Sequence, residues 1–181
     1  MSGSDDSMNI EVIVIPVSDV DRAKRFYSKL GWRLDLDVAP SEDYRVVQFT
    51  PPGSSCSVLF GRGVSSAIPG STRGVHLVVS DLEMVRKRLL SLGVEVSEPF
   101  YDASGLFHHI RADALRQGFQ PQRNSYGSYA TFEDPDGNAW TFQEVTVRLT
   151  GDEDGGALTS VAALQAAFHK AKAAAIRASS G

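Results

Sequence analysis

The sequence predicts an α+β fold in which two βαβββ modules form a curved mixed sheet around a cleft, with the helices on the outside. Three observations predict it. The first is an internal echo: Val17-Ser18-Asp19-Val20-Asp21 recurs 62 positions later as Val79-Ser80-Asp81-Leu82-Glu83, and Lys24-Arg25 and Leu30-Gly31 recur in step as Arg86-Lys87 and Leu92-Gly93. That period is too long for a solenoid repeat and suits a duplicated half-domain. The second is that β-branched runs at 10–17 and 75–79 precede the two copies, each too short for an independent helix. The third is a matching pair of turn sequences, Thr50-Pro51-Pro52-Gly53 and Asp134-Pro135-Asp136-Gly137, each lying between strand-like segments.

In the first copy, Asp19 stands where a helix N-cap is needed, since its carboxylate can accept the orphan N–H groups of the first turn. Val20, Ala23, Tyr27 and Leu30 then fall on one face at helical spacing. Gly31 stops the helix in the left-handed conformation. Strands follow at about 32–37, 44–49 and 56–60. The second copy repeats the plan with Asp81 as cap, Leu82, Val85, Leu89 and Leu92 as the apolar face, and Gly93 as the stop. Its later strands fall at about 94–96, 129–132 and 139–147.

The two turns lie 84 positions apart, so the second copy carries 22 extra residues, within about 98–125. Long irregular segments in compact domains are commonly functional. This one holds Phe107, His108, His109, Arg111, Arg116, Phe119 and Arg123 and borders Tyr126. Its aromatics could cover a planar ligand, and its arginines could pair with an acidic group. The alternative is a surface excursion packed on its own domain. Beyond residue 147 comes an acidic, glycine-rich stretch, then a cap at Thr159 or Ser160 and a helix with Val161, Leu164, Phe168, Ala171 and Ala175 on one side. The predicted organisation is a disordered tail at 1–8, a domain at 9–148 with modules at about 9–65 and 72–148, a linker at 149–158 and a C-terminal helix at 159–178.

Lys plus Arg number 18 against 22 Asp plus Glu, a net charge of −4, which argues against a nucleic-acid partner. The apolar runs are far shorter than the roughly 18 residues of a membrane span, and the polar, acidic start does not read as a secretion signal. Cys56, the single cysteine, fits a reducing compartment, and a cytoplasmic location is expected. Its strand parity turns it toward the helix layer, so it is not read as a nucleophile. Gly61-Arg62-Gly63 lacks the spacing of a phosphate loop.

Pro16-Val17-Ser18-Asp19-Val20-Asp21-Arg22-Ala23, Phe26-Tyr27 and Leu30-Gly31 in the first copy, with Phe132-Glu133-Asp134-Pro135-Asp136-Gly137-Asn138 in the second, resemble the vicinal oxygen chelate superfamily. This is the group of glyoxalases, bleomycin resistance proteins and extradiol dioxygenases. The resemblance covers about residues 10–147 and implies the glyoxalase/bleomycin resistance/dihydroxybiphenyl dioxygenase-like fold, with a homodimer or a self-paired monomer as the assembly. In metal-dependent relatives a His or Gln on the first strand and a Glu on the last strand of each module hold a divalent ion. The matching positions here are Val12, Ser57, Gly74 and Thr141, none of them a usual ligand. No metal and no other cofactor is therefore expected.

The resemblance then implies a cleft lined by Val12, Val14, Ser57, Leu59, His76, Tyr129, Thr141 and Gln143, with His108, His109 and Arg111 contributed by the insertion. Apolar walls with a few polar anchors describe a site for a small organic molecule. The favoured reading is a small-molecule binding protein, with an aromatic ligand and no metal centre. The alternative is an enzyme of lyase, isomerase or dioxygenase type, with or without a divalent metal, in which His76 or a histidine of the insertion acts as general acid or base. His76 reads equally as a histidine satisfied by a backbone carbonyl. Glu144, at odd parity from Thr141, should face away from the cleft.

Overall fold

Two aspartate caps decide where the outer helices begin. In the computed structural model, which describes residues 8–103, 114–149, 157–158 and 160–178, the Asp19 carboxylate accepts the Arg22 N–H at 2.9 Å and the Asp81 carboxylate accepts the Met84 N–H at 2.8 Å. The helices run Val20–Lys29 (α1) and Leu82–Ser91 (α2). Each is followed by a glycine at positive φ, Gly31 at +80° and Gly93 at +69°, a conformation that a Cβ would strain. The predicted stripes are the buried ones. Val20, Ala23, Tyr27 and Leu30 are buried on α1; Leu82 and Leu89 are buried on α2, with Val85 and Leu92 half-buried.

The strands are hydrogen-bonded as two sheets. Val12–Val14 (β1), Arg33–Ser41 (β2), Tyr44–Thr50 (β3) and Ser57–Arg62 (β4) form the first, in the order β1-β4-β3-β2, with β1 parallel to β4. The second contains Val75–Val79 (β5), Phe100–Asp102 (β6), Leu115–Gln117 (β7), Tyr129–Glu133 (β8) and Ala139–Glu144 (β9), in the order β5-β9-β8-β6-β7. Without β7 the two orders are identical, so the sequence echo is a repeat of topology. β7 is new to the second copy. It pairs antiparallel with β6 through Phe100↔Gln117, Tyr101↔Arg116 and Asp102↔Leu115, so this part of the insertion extends the sheet and is not an irregular lid. The segment 94–96 is not a strand; Val96 makes only an isolated bridge to Phe132.

The chain divides into two compact units. One comprises the residues up to Val75 together with Glu133–Trp140; the other comprises His76–Phe132 and the residues from Thr141 onward. In the first unit α1 covers Ile15, Val47, Phe49, Val58 and Phe60. Tyr27 sits centrally, its ring 4.9 Å from Trp32, 5.5 Å from Phe60 and 6.1 Å from Trp140. Burying side chains of this size contributes roughly 1.5–3 kcal/mol each. The Tyr27 hydroxyl donates to Asp134 at 2.8 Å and accepts from the Trp140 indole N–H at 3.2 Å. Burial, and then the Asp134 carboxylate, push its pKa far above the ordinary phenol value.

In the second unit Leu82, Leu89, Val94, Val96, Ala130, Phe132 and Phe142 form the core, with the Phe132 and Phe142 rings stacked 5.0 Å apart. The C-terminal helix Val161–Ala178 (α3) begins after Ser160, whose hydroxyl accepts the Ala163 N–H. It docks on this unit. Leu164 is buried and the Phe168 ring lies 6.1 Å from Tyr126. Residues 1–7, most of the predicted linker and the candidate cap Thr159 lie outside the described residues. No described helix is long and apolar enough to cross a membrane.

Candidate functional site

Alternation along the first sheet separates two faces. Val58, Phe49, Val47 and Phe60 take the helix side and are buried. The opposite face carries a continuous cross-strand row, because Val14 pairs with Leu59, Leu59 with Gln48 and Gln48 with Leu36. Val38 and Val46 pair in the next row. Val14, Leu36 and Val38 are 44%, 37% and 45% exposed, so apolar side chains are left uncovered on this face within the unit. Contiguous exposed apolar surface on a folded sheet marks a binding site or an interface.

The polar anchor in this face is Ser57, the pairing partner of Val12. Ser57 is buried, and its Oγ lies 2.8 Å from Thr50 Oγ1. Thr50 in turn donates to the Asp35 carboxylate. Since the Thr50 proton is engaged there, Ser57 is the donor to Thr50 and its remaining lone pairs can accept from a ligand. The hydrogen bonds from Thr50 and then Arg33 hold the Asp35 carboxyl below the usual range.

In the second unit, the Gln143 side-chain amide donates to the Tyr129 hydroxyl and to the Tyr126 carbonyl, both at 3.2 Å. Tyr129, Thr141 and Gln143 are all buried, and Tyr129 stacks on Phe100 at 5.7 Å. His76 is exposed on the neighbouring edge strand β5, which also presents Val78, 47% exposed. The structure thus joins Val12 to Ser57 and Val14 to Leu59 in one unit, and Gln143 to Tyr129 in the other. His108, His109, Arg111 and Phe107 lie outside the described residues.

Two readings of the insertion need correction. Arg123 does not wait for an acidic ligand: it bonds the Glu144 carboxylate at 2.6 Å and lies over the Phe119 ring at 4.0 Å. A buried carboxylate outcompetes solvent for a nearby guanidinium, so both Arg123 and Phe119 are engaged within the protein. Tyr126 is held too, accepting the Leu149 N–H at its hydroxyl. Glu144 itself, 2% exposed, also accepts the Leu82 N–H at 3.1 Å, which places it on the α2 side as its parity requires. Cys56 is half-buried, and burial followed by the Glu11 charge pushes its thiol pKa up, away from the reactive thiolate.

A divalent metal does not fit the residues at the four family positions. Val12 is apolar, Gly74 has no side chain, and Ser57 and Thr141 are buried hydroxyls. Among the described residues no group of three or more His, Cys, Asp or Glu side chains is placed to hold a metal ion.

Sequence reasoning did not name Leu36, Val38, Val46 or Gln48. The period-two alternation of β3 could have found Val46 and Gln48. Register irregularities at Leu34/Leu36 and Val38/Ser41 obscure the alternation of β2. Nor did it foresee that cavities of the second unit flank α3. One of about 610 Å³ is bounded by β6, the 120–127 loop and α3.

Residues 9–142 match the family described as the Glyoxalase/Bleomycin resistance protein/Dioxygenase superfamily. The chain is similar to the solved structure of TnmS3, an antibiotic binding protein from Streptomyces sp. CB03234, with 28% identity, 77% of this chain and 98% of that chain covered, and a TM-score of 0.58. A glyoxalase/bleomycin resistance protein from the same strain is also 28% identical, with 75% and 100% covered and a TM-score of 0.55. A superfamily member from Sphaerobacter thermophilus DSM 20745 is 25% identical, with 76% and 98% covered and a TM-score of 0.56. No curated protein matches the sequence. Helix α3 lies beyond the matched residues.

Proposed function

The chain belongs to the glyoxalase/bleomycin resistance protein/dioxygenase superfamily, and from that premise we propose that it binds a small aromatic organic molecule without the usual metal centre. The observation that carries the reading is the uncovered row Val14-Leu59-Gln48-Leu36, apolar at three of four positions and bordered by the Ser57 acceptor. A planar ring laid on such a face removes apolar area from water, and the amide and hydroxyl orient it. The similarity to an antibiotic binding protein supports a small-molecule ligand. The proposal takes a homodimer, one of the two assemblies that the family resemblance implies, and a cytoplasmic location.

The test is a thermal-shift screen against polycyclic aromatic antibiotics, because a ligand of the native state raises apparent stability by mass action. A hit is expected to lose affinity at least about tenfold in Val14→Asp, since a carboxylate resists burial beneath an apolar ring. Val14 is 44% exposed, so the variant should fold with a stability change within about 0.5 kcal/mol. Sedimentation of the same sample reads the assembly. The absence of any stabilising compound, or full affinity in Val14→Asp, would remove the proposal.

The exposure of His76 favours a second reading, in which its imidazole serves as general acid or base on a bound carbonyl or enol compound. Such chemistry predicts that a binding hit is converted to product on standing with the protein, and that His76→Ala stops conversion while leaving affinity intact. A hit recovered unchanged from the wild-type protein would exclude it.

A further inference from the structure

A cavity of about 610 Å³ in the second unit, within the roughly 300–1,000 Å³ of small-molecule sites, takes no wall from Val14, Leu36, Leu59 or His76. It is lined instead by three aromatic residues, Tyr101, Tyr126 and Phe168, set among three side-chain amides, Gln122, Asn124 and Gln165. The Asn124 and Gln165 amides bond no other described residue, and the Gln122 amide uses only its oxygen, which accepts from Gln120 at 2.5 Å. His169, on the same wall, turns its Nδ1 to the Gln165 carbonyl at 2.8 Å. A carbonyl only accepts, so the neutral ring offers Nε2 as a further acceptor. Among the described residues that line this cavity there is no lysine or arginine, and the Asp102 carboxylate has its Oδ2 buried.

A side-chain amide both donates and accepts, and so does a hydroxyl. The face of an aromatic ring is the negative part of its quadrupole and receives C–H groups. A guest with hydroxyls around its rim and C–H groups on its faces satisfies both, and that is the surface of a sugar ring. A wholly apolar guest would strand the amides. An anion would meet no cationic side chain among the described lining residues.

The wall is also built before a guest arrives. Gln120 locks the 120–127 loop: its Oε1 accepts the Asn124 N–H at 2.9 Å and its own N–H donates to Ser128 Oγ at 3.1 Å, while the Gly127 N–H bonds the Asn124 carbonyl at 3.0 Å. Within this loop Tyr126 has φ +67° although it carries a side chain. A bulky residue is held in that region only when its surroundings demand it, and such positions gather at functional sites. Here the Tyr126 N–H donates to the Glu144 carbonyl at 2.7 Å and the ring lies 6.1 Å from Phe168 of α3. Groups already held in place lose little freedom on binding.

We propose that this cavity is a second ligand site, specific for a neutral saccharide, built where α3 closes over β6 and the 120–127 loop. It is independent of the sheet-face site, because Val14, Leu36 and Leu59 take no part in it.

The experiment titrates full-length protein with maltose, cellobiose, lactose and trehalose by isothermal calorimetry. At least one is expected to bind in a saturable manner. Glucose should displace it, and glucuronate, the same ring with a carboxylate, should do so at least about tenfold less well, because the charge gives up water without gaining a cation. Asn124→Ala removes an amide that bonds no other described residue, so the variant should keep its urea midpoint and weaken the sugar about three- to tenfold, the scale of one hydrogen bond. Phe168→Ala should weaken it at least about tenfold. Gln165 lines the cavity from an exposed position of α3, so Gln165→Trp obstructs the cavity without disturbing the core and should abolish binding even if Phe168→Ala loosens the helix. Val14→Asp should bind the sugar normally, which separates this site from the sheet face. Absence of saturable binding by all four disaccharides, displacement by glucuronate as effective as by glucose, or undiminished binding in either Asn124→Ala or Gln165→Trp would each overturn the proposal.

Discussion

Asp134→Ala is expected to destabilise the protein by about 3–5 kcal/mol, the range for removing one partner from a buried charged network. The Asp134 carboxylate is 5% exposed at the residue level and accepts four hydrogen bonds: the Asp136 and Asn138 N–H groups at one oxygen, the Tyr27 hydroxyl and the Asn138 amide at the other. Alanine leaves these donors without their acceptor, and stranded buried donors are more damaging than the average bond is stabilising. With domains of this kind stable by only about 5–15 kcal/mol, the variant should be largely unfolded under mild denaturant. Tyr27→Phe removes a single donor and also the acceptor of the Trp140 indole, so about 1–3 kcal/mol is expected. Urea denaturation of the two variants checks the order; an Asp134→Ala loss no larger than that of Tyr27→Phe would show that the carboxylate is not the hub.

Glu144→Ala should lower stability by about 2–4 kcal/mol, because its carboxylate closes the second unit from two directions. It accepts the backbone N–H of Leu82 at the start of α2 and the Arg123 guanidinium at 2.6 Å. The Arg123 side chain is 43% exposed while that of Glu144 is 2%, so the loss is asymmetric. Removing Arg123 leaves the buried Glu144 carboxylate with the Leu82 N–H but without its charged partner, and Arg123→Ala should cost about 1–3 kcal/mol. A double-mutant cycle separates the pair from the N–H contact. Coupling close to zero would show that Arg123 and Glu144 are neighbours without mutual stabilisation.

Much of this architecture was legible in the sequence because its signals are local. A cap, a stripe and a glycine stop fall within about a dozen residues, and they placed both helices correctly. The repeat then carried the topology, since two copies of one pattern adopt one strand order. β7 was missed for a physical reason: Leu115–Gln117 has no alternation of its own and becomes a strand through pairing with β6. The site was legible in part. The family resemblance implied Val14, Leu59 and Ser57, whereas Leu36 and Val38 were obscured by irregular register on β2. The role of Arg123 was misread because its partner is 21 residues away with no pattern linking them. The cavity beneath α3 depends on segments about 40–60 residues apart meeting, which no local periodicity encodes.

The placement of Glu133–Trp140 in the first unit has a consequence for the order of assembly during synthesis. Tyr27 bonds Asp134, Ser18 bonds Asp136 and Asn138 bonds the Pro16 carbonyl across 107, 118 and 122 residues. These contacts cannot form until the ribosome has delivered the far partner. The amino-terminal unit therefore leaves the ribosome first yet is completed late, waiting with the Tyr27 and Trp32 rings uncovered on the side where Trp140 will lie. Long-range closure of this kind slows folding and prolongs the exposure of apolar surface. The interval between translation of Trp32 and of Trp140 is the period in which a nascent chain has most need of a chaperone.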